Sequence, residues 1–290
     1  MNKILIIGCG DIAMRVAPLL SSRYRLFGLV RNHSRQAKLH SKKIIPILGD
    51  LDIRHSLSRI SGLADVVLHF APPTNSGEFD RRTQNLLASI SQGKLPKKLI
   101  YISTSGVYGD CAGNQVSEWH RVNPQSTRAD RRVDAENRIR EWAKHSRVNA
   151  SILRVPGIYA EDRLPLERVQ NGSPSILAAQ DSHTNHIHAF DLARIVVATI
   201  RYGKHNRVYH TSDDSQLMMG DYFDAVAEAF QLPNPPRLPR EAVKKLVSPM
   251  LWSFMNESRQ LNNARMKQEL HVQLMYPTVA YTLSSNVLKP

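Results

Sequence analysis

Lys3-Ile4-Leu5-Ile6-Ile7-Gly8-Cys9-Gly10-Asp11-Ile12-Ala13 decides the fold. Four consecutive apolar residues end in a glycine turn, and an apolar-periodic stretch follows at Ile12, Val16, Leu19 and Leu20. A short apolar run before a turn reads as a buried parallel strand, and the 3.6-residue period after it as a helix. The turn itself reads Gly8-x-Gly10-x-x-Ala13. Gly8 permits the tight turn, Gly10 lets backbone approach a pyrophosphate, and Ala13 is small enough for the helix to pack closely on the strand. The helix start at Asp11 and Ile12 then aims free N–H groups at the phosphates. The stretch therefore predicts a dinucleotide site, with Gly8, Gly10, Asp11 and Ile12 as cofactor contacts.

Working outward, a second strand runs over Arg25–Val30 and stops at Arg31-Asn32-His33-Ser34-Arg35. About twenty residues after the glycine turn, an NAD site places an acidic residue on the ribose hydroxyl. This chain has Arg31 there, with Arg35 and Lys38 close by. A guanidinium suits a 2′-phosphate, so NADP(H) is expected over NAD(H). Further strands are expected at 43–48, 65–70 and 98–103, with a helix carrying Leu57, Ile60 and Leu63 and another near 79–92. Strands alternating with helices predict a Rossmann-type, doubly wound parallel α/β sheet. Ligands of such sheets lie beyond the carboxyl ends of the strands. Those ends bring Asp50 and Leu51, Phe70, Ala71 and Pro72, and Ser103 with Thr104 and Ser105 into the expected site.

Composition narrows the class. The 290 residues are 42% hydrophobic and 22% charged, ordinary for a soluble globular protein. No apolar run is long enough to span a bilayer, and Ile4–Ile7 is too short for a signal peptide. Two cysteines, Cys9 and Cys111, imply no disulfide framework and fit a cytoplasmic location. The net charge of +14 favours anionic partners. It gathers at 31–43 and 121–147 inside the folded region, as solvated faces do, so nucleic acid is disfavoured as a partner. His183-x-x-His186-x-His188 has no Cys or nearby carboxylate pattern to complete a metal site, and none is expected.

The rest of the chain carries a resemblance. Ile102-Ser-Thr-Ser-Gly-Val-Tyr-Gly-Asp110, Gly49-Asp-Leu-Asp52, Leu153-Arg-Val-Pro-Gly-Ile-Tyr159, Ile187-His-Ala-Phe-Asp-Leu-Ala193 and Ala264–Leu270 occur in the order and spacing of one family. The chain resembles the extended short-chain dehydrogenase/reductases, the NAD-dependent epimerase/dehydratase proteins that act on nucleotide-sugars. The resemblance implies an oxidoreductase or epimerase with a nucleotide-sugar substrate. It implies a homodimer paired through the helices at 78–92 and 126–144, by way of Leu86, Leu87, Ile90, Ile139 and Trp142. By position it assigns Thr104 to the reacting oxygen, Tyr108 to the substrate wall or proton transfer, and Pro156 to the cofactor. Ser105, Arg154, Arg163 and His188 fall at the substrate. It divides the chain into a dinucleotide-binding region, 1–155, and an interwoven substrate region, 156–290, with Trp252, Phe254 and Met255 in a small cap.

One departure stands out. The family's Tyr-x-x-x-Lys pair falls on Arg128 and Arg132. A spacing of four keeps both on one helix face. Arginine stays protonated near neutrality and cannot exchange a proton as tyrosine does. The pair is expected to hold an anion of cofactor or substrate, with Arg132 also on the ribose. A non-catalytic NADP(H)-binding scaffold or redox sensor is the alternative.

Overall fold

A computed structural model of the chain describes residues 2–284. Met1 and the last residues of the expected 156–290 region lie outside the described residues. Seven strands form one parallel sheet: β1 (Lys3–Ile7), β2 (Arg25–Val30), β3 (Ile44–Leu48), β4 (Val66–His69), β5 (Lys98–Thr104), β6 (Asn149–Val155) and β7 (Arg207–His210). Their order is β7-β6-β5-β4-β1-β2-β3, and all neighbours run parallel. The order reverses between β1 and β4, which is where a doubly wound sheet opens a crevice for ligands.

Each face of the sheet carries its own apolar layer. Ile4 and Ile6 of β1 point to one layer, shared with helices α1 (Asp11–Leu20) and, later in the chain, Ala189–Tyr202. Leu5 and Ile7 point to the other, shared with α2 (Arg81–Ile90) and α3 (Thr127–Ser146). Alternate residues of a strand serve opposite faces, so a sheet buried on both sides needs the unbroken apolar run that β1 shows. Asp80 caps α2, accepting from the N–H groups of Arg82 and Thr83; Ser126 caps α3, accepting from Ala129.

Three expectations change in the structure. The segment holding Leu57 and Ile60 is a 3-10 helix, Arg54–Ile60, which ends before Leu63. The proline-rich stretch 233–239, whose composition reads as a plain connector, contains a short strand, Arg237–Leu238, paired with Ser175–Ile176. Leu86, Leu87, Ile90 and Ile139 are not an exposed pairing face. They are buried where α2 and α3 cover the sheet, and Trp142 packs half-buried against them, its Nε1 donating to Ser91 Oγ at 2.8 Å. Burial of that area against the chain's own sheet leaves it nothing to offer a second copy.

Candidate functional site

The turn after β1 is built by one close approach. Gly8 has φ +95°, and a Cβ there would stand 2.4 Å from the Ala71 nitrogen. That nitrogen and the Phe70 nitrogen both donate to the Ile7 carbonyl, at 2.9 and 2.7 Å. The end of β4 thus forms one wall of the turn. Gly10 is different: its Cβ would meet nothing within 4 Å. It caps α1 with no side-chain hydrogen bond, so the first-turn N–H groups of the helix face that open space. A pyrophosphate group fits this cradle, by space and by donor chemistry. Cys9 between the glycines is inert, its thiol pushed up to about 12 by burial.

Around the cradle, Arg31 is exposed just past β2 and forms no ion pair among the described residues. Asp50 follows β3, its Oδ1 accepting from the Asp52 nitrogen at 3.0 Å. The Leu51 carbonyl accepts from Asn85. Asp11 turns away from the cradle: its carboxylate pairs with Arg15 (3.0 Å) and Arg163 (2.8 Å).

A cavity of about 600 Å³ opens beyond β5. Thr104, Ser105 and Gly106 line it from the strand end, and Ser126, Arg128 and Ala129 from the start of α3. Pro156, Gly157, Ile158, Tyr159 and Arg163 line it after β6, with His183, Thr184, Asn185 and His186 opposite. Tyr222 and Phe223 of α4 (Met219–Ala229) and Phe254, Glu257 and Arg259 add to the wall. The Thr104 hydroxyl accepts from the Gly106 nitrogen at 3.2 Å, which leaves its proton to donate into the cavity. His186 is held neutral, its pKa lowered to about 4 by burial, with Tyr222 edge-on at 4.1 Å. Among the described residues, no group of three or more His, Cys, Asp or Glu is placed to hold a metal ion.

Five expected site residues stand elsewhere. Ser103, Tyr108 and Arg154 belong to a buried network behind the cavity. Glu136 accepts from Ser103 Oγ at 2.6 Å, and from Arg154 Nε at 3.1 Å and Nη2 at 2.6 Å. Arg154 Nη1 donates to the Tyr108 hydroxyl at 2.6 Å. His210 Nδ1 faces the Asn262 carbonyl at 3.0 Å and must donate to it, so Nε2 accepts the Tyr108 proton, 2.6 Å away. Tyr108 is thereby spent, and burial pushes its hydroxyl up to about 12. Its hydroxyl keeps its proton near neutrality, bonded to His210, and does not line the cavity.

His188 likewise stands outside the cavity lining. Its Nδ1 accepts from the Phe190 nitrogen, capping Ala189–Tyr202, and its ring stacks on Tyr276 at 3.6 Å. Arg132 is turned onto the sheet: Nη1 donates to the Tyr101 hydroxyl at 3.0 Å and the Ile102 carbonyl at 2.8 Å. It does not line the cavity with Arg128, so the two do not form the joint clamp that their spacing suggested. The cavity does bring together Thr104, Ser105, Arg128, Pro156 and Arg163.

Glu257 and Arg259 were not anticipated. No local motif marks them. Tertiary bonds deliver them to the strand end: Arg259 Nη1 donates to the Gly109 carbonyl at 2.7 Å, and the Ser258 nitrogen to Asp110 at 2.8 Å.

The model of the NAD dependent epimerase/dehydratase family matches residues 4–211. A functionally unknown conserved protein from Silicibacter pomeroyi DSS is 25% identical, with TM-score 0.78 over 98% of this chain and 97% of that one. UDP-glucuronic acid 4-epimerase from Bacillus cereus, solved with NAD, is 20% identical, with TM-score 0.75 over 97% and 95%. dTDP-glucose 4,6-dehydratase from Bacillus anthracis, also with NAD, is 16% identical, with TM-score 0.78 over 98% and 94%. The last two show likeness of fold. No curated protein matches the sequence.

Proposed function

The chain belongs to the NAD dependent epimerase/dehydratase family, and on that premise we propose that it binds NADP(H) in preference to NAD(H) and takes a nucleotide-linked sugar in the neighbouring cavity. The observation that carries the cofactor reading is the contrast at the first turn: Gly8 is pressed on Ala71, while Gly10 faces open space before the bare N-terminus of α1. A nicotinamide dinucleotide bound there supplies hydride transfer. The chain's own residues supply the rest. Backbone N–H groups at Asp11 and Ile12 face the pyrophosphate, and Arg31 takes a 2′-phosphate. Asp50 and Leu51 with Phe70, Ala71 and Pro72 wall the adenosine half, and Pro156 the other end. Thr104 donates its hydroxyl proton to the substrate oxygen that reacts, and Ser105 and Arg163 flank the same substrate.

Cofactor preference is measured by fluorescence titration. NADPH is expected to bind more tightly than NADH, and Arg31→Glu to shrink that preference by about tenfold or more. Equal affinities in wild type would reject the assignment of Arg31. Turnover of a panel of nucleotide-sugars tests the reaction. With no tyrosine in the proton-transfer position, wild type is expected to run about 10²–10⁴-fold below a complete site, and Arg128→Tyr with Arg132→Lys to gain activity.

A second reading, a cofactor-binding protein without turnover, is favoured by Arg132, whose bonds to Tyr101 and Ile102 give it a structural task. No gain in the double variant, with cofactor and substrate still bound, would decide for it. We also propose a homodimer through the outer faces of α2 and α3. Its support in the structure is Phe79, exposed just ahead of α2 with Arg138 over its ring. Light scattering that finds a monomer at micromolar concentration would end this idea. In this reading the two free cysteines accord with a cytoplasmic setting.

A further inference from the structure

The charges that line the cavity do not balance. Three guanidiniums face it, Arg128, Arg163 and Arg259, against one carboxylate, Glu257. Arg163 is spent on Asp11 at 2.8 Å, and Arg259 on Glu257 at 2.7 Å. The Arg128 side chain makes no hydrogen bond or ion pair among the described residues. Its guanidinium carbon lies 4.7 Å from the centroid of the Phe254 ring. Burial and the like charge of Arg132 both work against its protonation, and the attraction of Glu257 only partly offsets them. A cation kept there without a partner is costly to the protein.

That geometry leaves Arg128 free to act outward. A guanidinium laid over an aromatic face keeps its in-plane N–H groups for a carboxylate or phosphate oxyanion. A concave site with one uncompensated charge concentrates ligands of the opposite sign. Two hydroxyls of the same cavity are set as donors. Thr104 Oγ1 accepts from Gly106 N and Ser126 Oγ from Ala129 N, at 3.2 and 3.3 Å. Each oxygen accepts one backbone N–H and its own proton is not used in that bond, so each proton is available to an outside acceptor.

We propose that Arg128, with the hydroxyls of Thr104 and Ser126, forms an oxyanion subsite that selects a substrate by a negatively charged group at the β5 end of the cavity. The inference rests on the reading that this cavity takes a nucleotide-linked sugar, and it adds which part of that ligand is recognised. Arg128 thus replaces a proton-exchanging residue with a binding one. Two sources can present the oxyanion, a carboxylate on the sugar or the diphosphate that links it.

The test is calorimetric titration of NADPH-loaded wild type, Arg128→Gln and Arg128→Lys with UDP-glucuronate and UDP-glucose. Unchanged NADPH affinity and melting temperature report that the variants are folded. If the sugar carboxylate is read, wild type prefers the glucuronate, and Arg128→Gln weakens that ligand alone, by about ten- to a hundredfold. If the diphosphate is read, Arg128→Gln weakens both ligands alike by the same factor. In either case Arg128→Lys falls between, since it keeps charge but not the fork. Wild type that binds both ligands, with Arg128→Gln no weaker for either, overturns the subsite while the nucleotide-sugar reading stands. Wild type that binds NADPH but neither ligand overturns both.

Discussion

Gly8 and Gly10 show how two glycines of one motif carry different duties. At Gly8 a methyl group would collide with the Ala71 backbone at 2.4 Å, in a conformation with φ +95° that side chains resist. Gly8→Ala is therefore expected to destabilise the fold by about 3 kcal/mol or more, seen as a lower denaturation midpoint at unchanged slope. Gly10 has room for a side chain, so Gly10→Val should leave the melting temperature near wild type while abolishing binding of NADPH and NADH alike. A Gly10→Val protein that still binds either cofactor would place the pyrophosphate elsewhere. Asp213 gives a residue-scale pH dependence. It is buried, and its pKa is pushed up from 3.8 to about 7, chiefly by burial. The folded state thus holds a proton that the unfolded state releases first. The stability this contributes is full below about pH 4 and is lost as pH rises through 7, by up to about 4 kcal/mol. Asp213→Asn should raise the melting temperature at pH 8 and leave it little changed at pH 4. An equal shift at both pH values would show that ionisation is not the cause.

At the scale of elements, α3 serves two places at once. Its N-terminal end lends the capping Ser126 and Arg128 to the cavity, and its middle sends Glu136 and Ile139 into the layer under the sheet. Glu136 and Arg154 there tie α3 to β6, and Ser103 and Tyr108 extend the tie to β5 and the turn beyond it. The network holds the strand end that carries Thr104, although none of these side chains lines the cavity. Removing one partner of a buried ion pair strands the other charge, which costs about 3–5 kcal/mol. Arg154→Ala should lose about that much in urea unfolding. A loss under about 1 kcal/mol would mean that water or another cation reaches Glu136. The motif around Arg154 is thus a stability device for the site.

For the whole molecule, the sheet and its two apolar layers set a crevice at the β1–β4 reversal, and the segments after β6 close a cavity beside it. We propose the 156–290 region as the substrate half on that ground, although β7 within it returns to the main sheet beside β6. Histidines spread through the core make the whole fold acid-sensitive. His69, His186 and His210 are buried and neutral, with pKa values lowered to about 3, 4 and 3, mainly by burial. Their folded values lie below the unfolded value of about 6.5, so the unfolded chain takes up protons first, and stability falls as pH drops from about 6.5 towards 4. Among the described residues, no helix is long and apolar enough to cross a membrane.

Much of this was legible in the chain alone. The apolar run Ile4–Ile7, the spacing of Gly8 and Gly10 and the alternation of strand and helix signals are local, and local periodicity and turn chemistry are properties of sequence. They determined the sheet, the cradle and the family. They also determined that Arg128 and Arg132 could not be an acid and a base, because that follows from the side chain itself. Only the tertiary structure decided which polar residues face the cavity. Ser103 and Thr104 are neighbours on β5, yet adjacent strand residues point to opposite faces, so one joins Glu136 and the other meets the ligand space. Arg132 lies one turn from Arg128 but leans onto Tyr101, where a hydroxyl and a carbonyl were in reach. Leu86 and Ile139 carry an apolar stripe that fits a partner copy or the chain's own sheet, and packing chose the sheet. Glu257 and Arg259 join the site from more than a hundred residues beyond Thr104, because bonds to Gly109 and Asp110 pull that loop across the strand end. Contacts at such separation leave no period or spacing in the sequence; they exist only once the layers have packed.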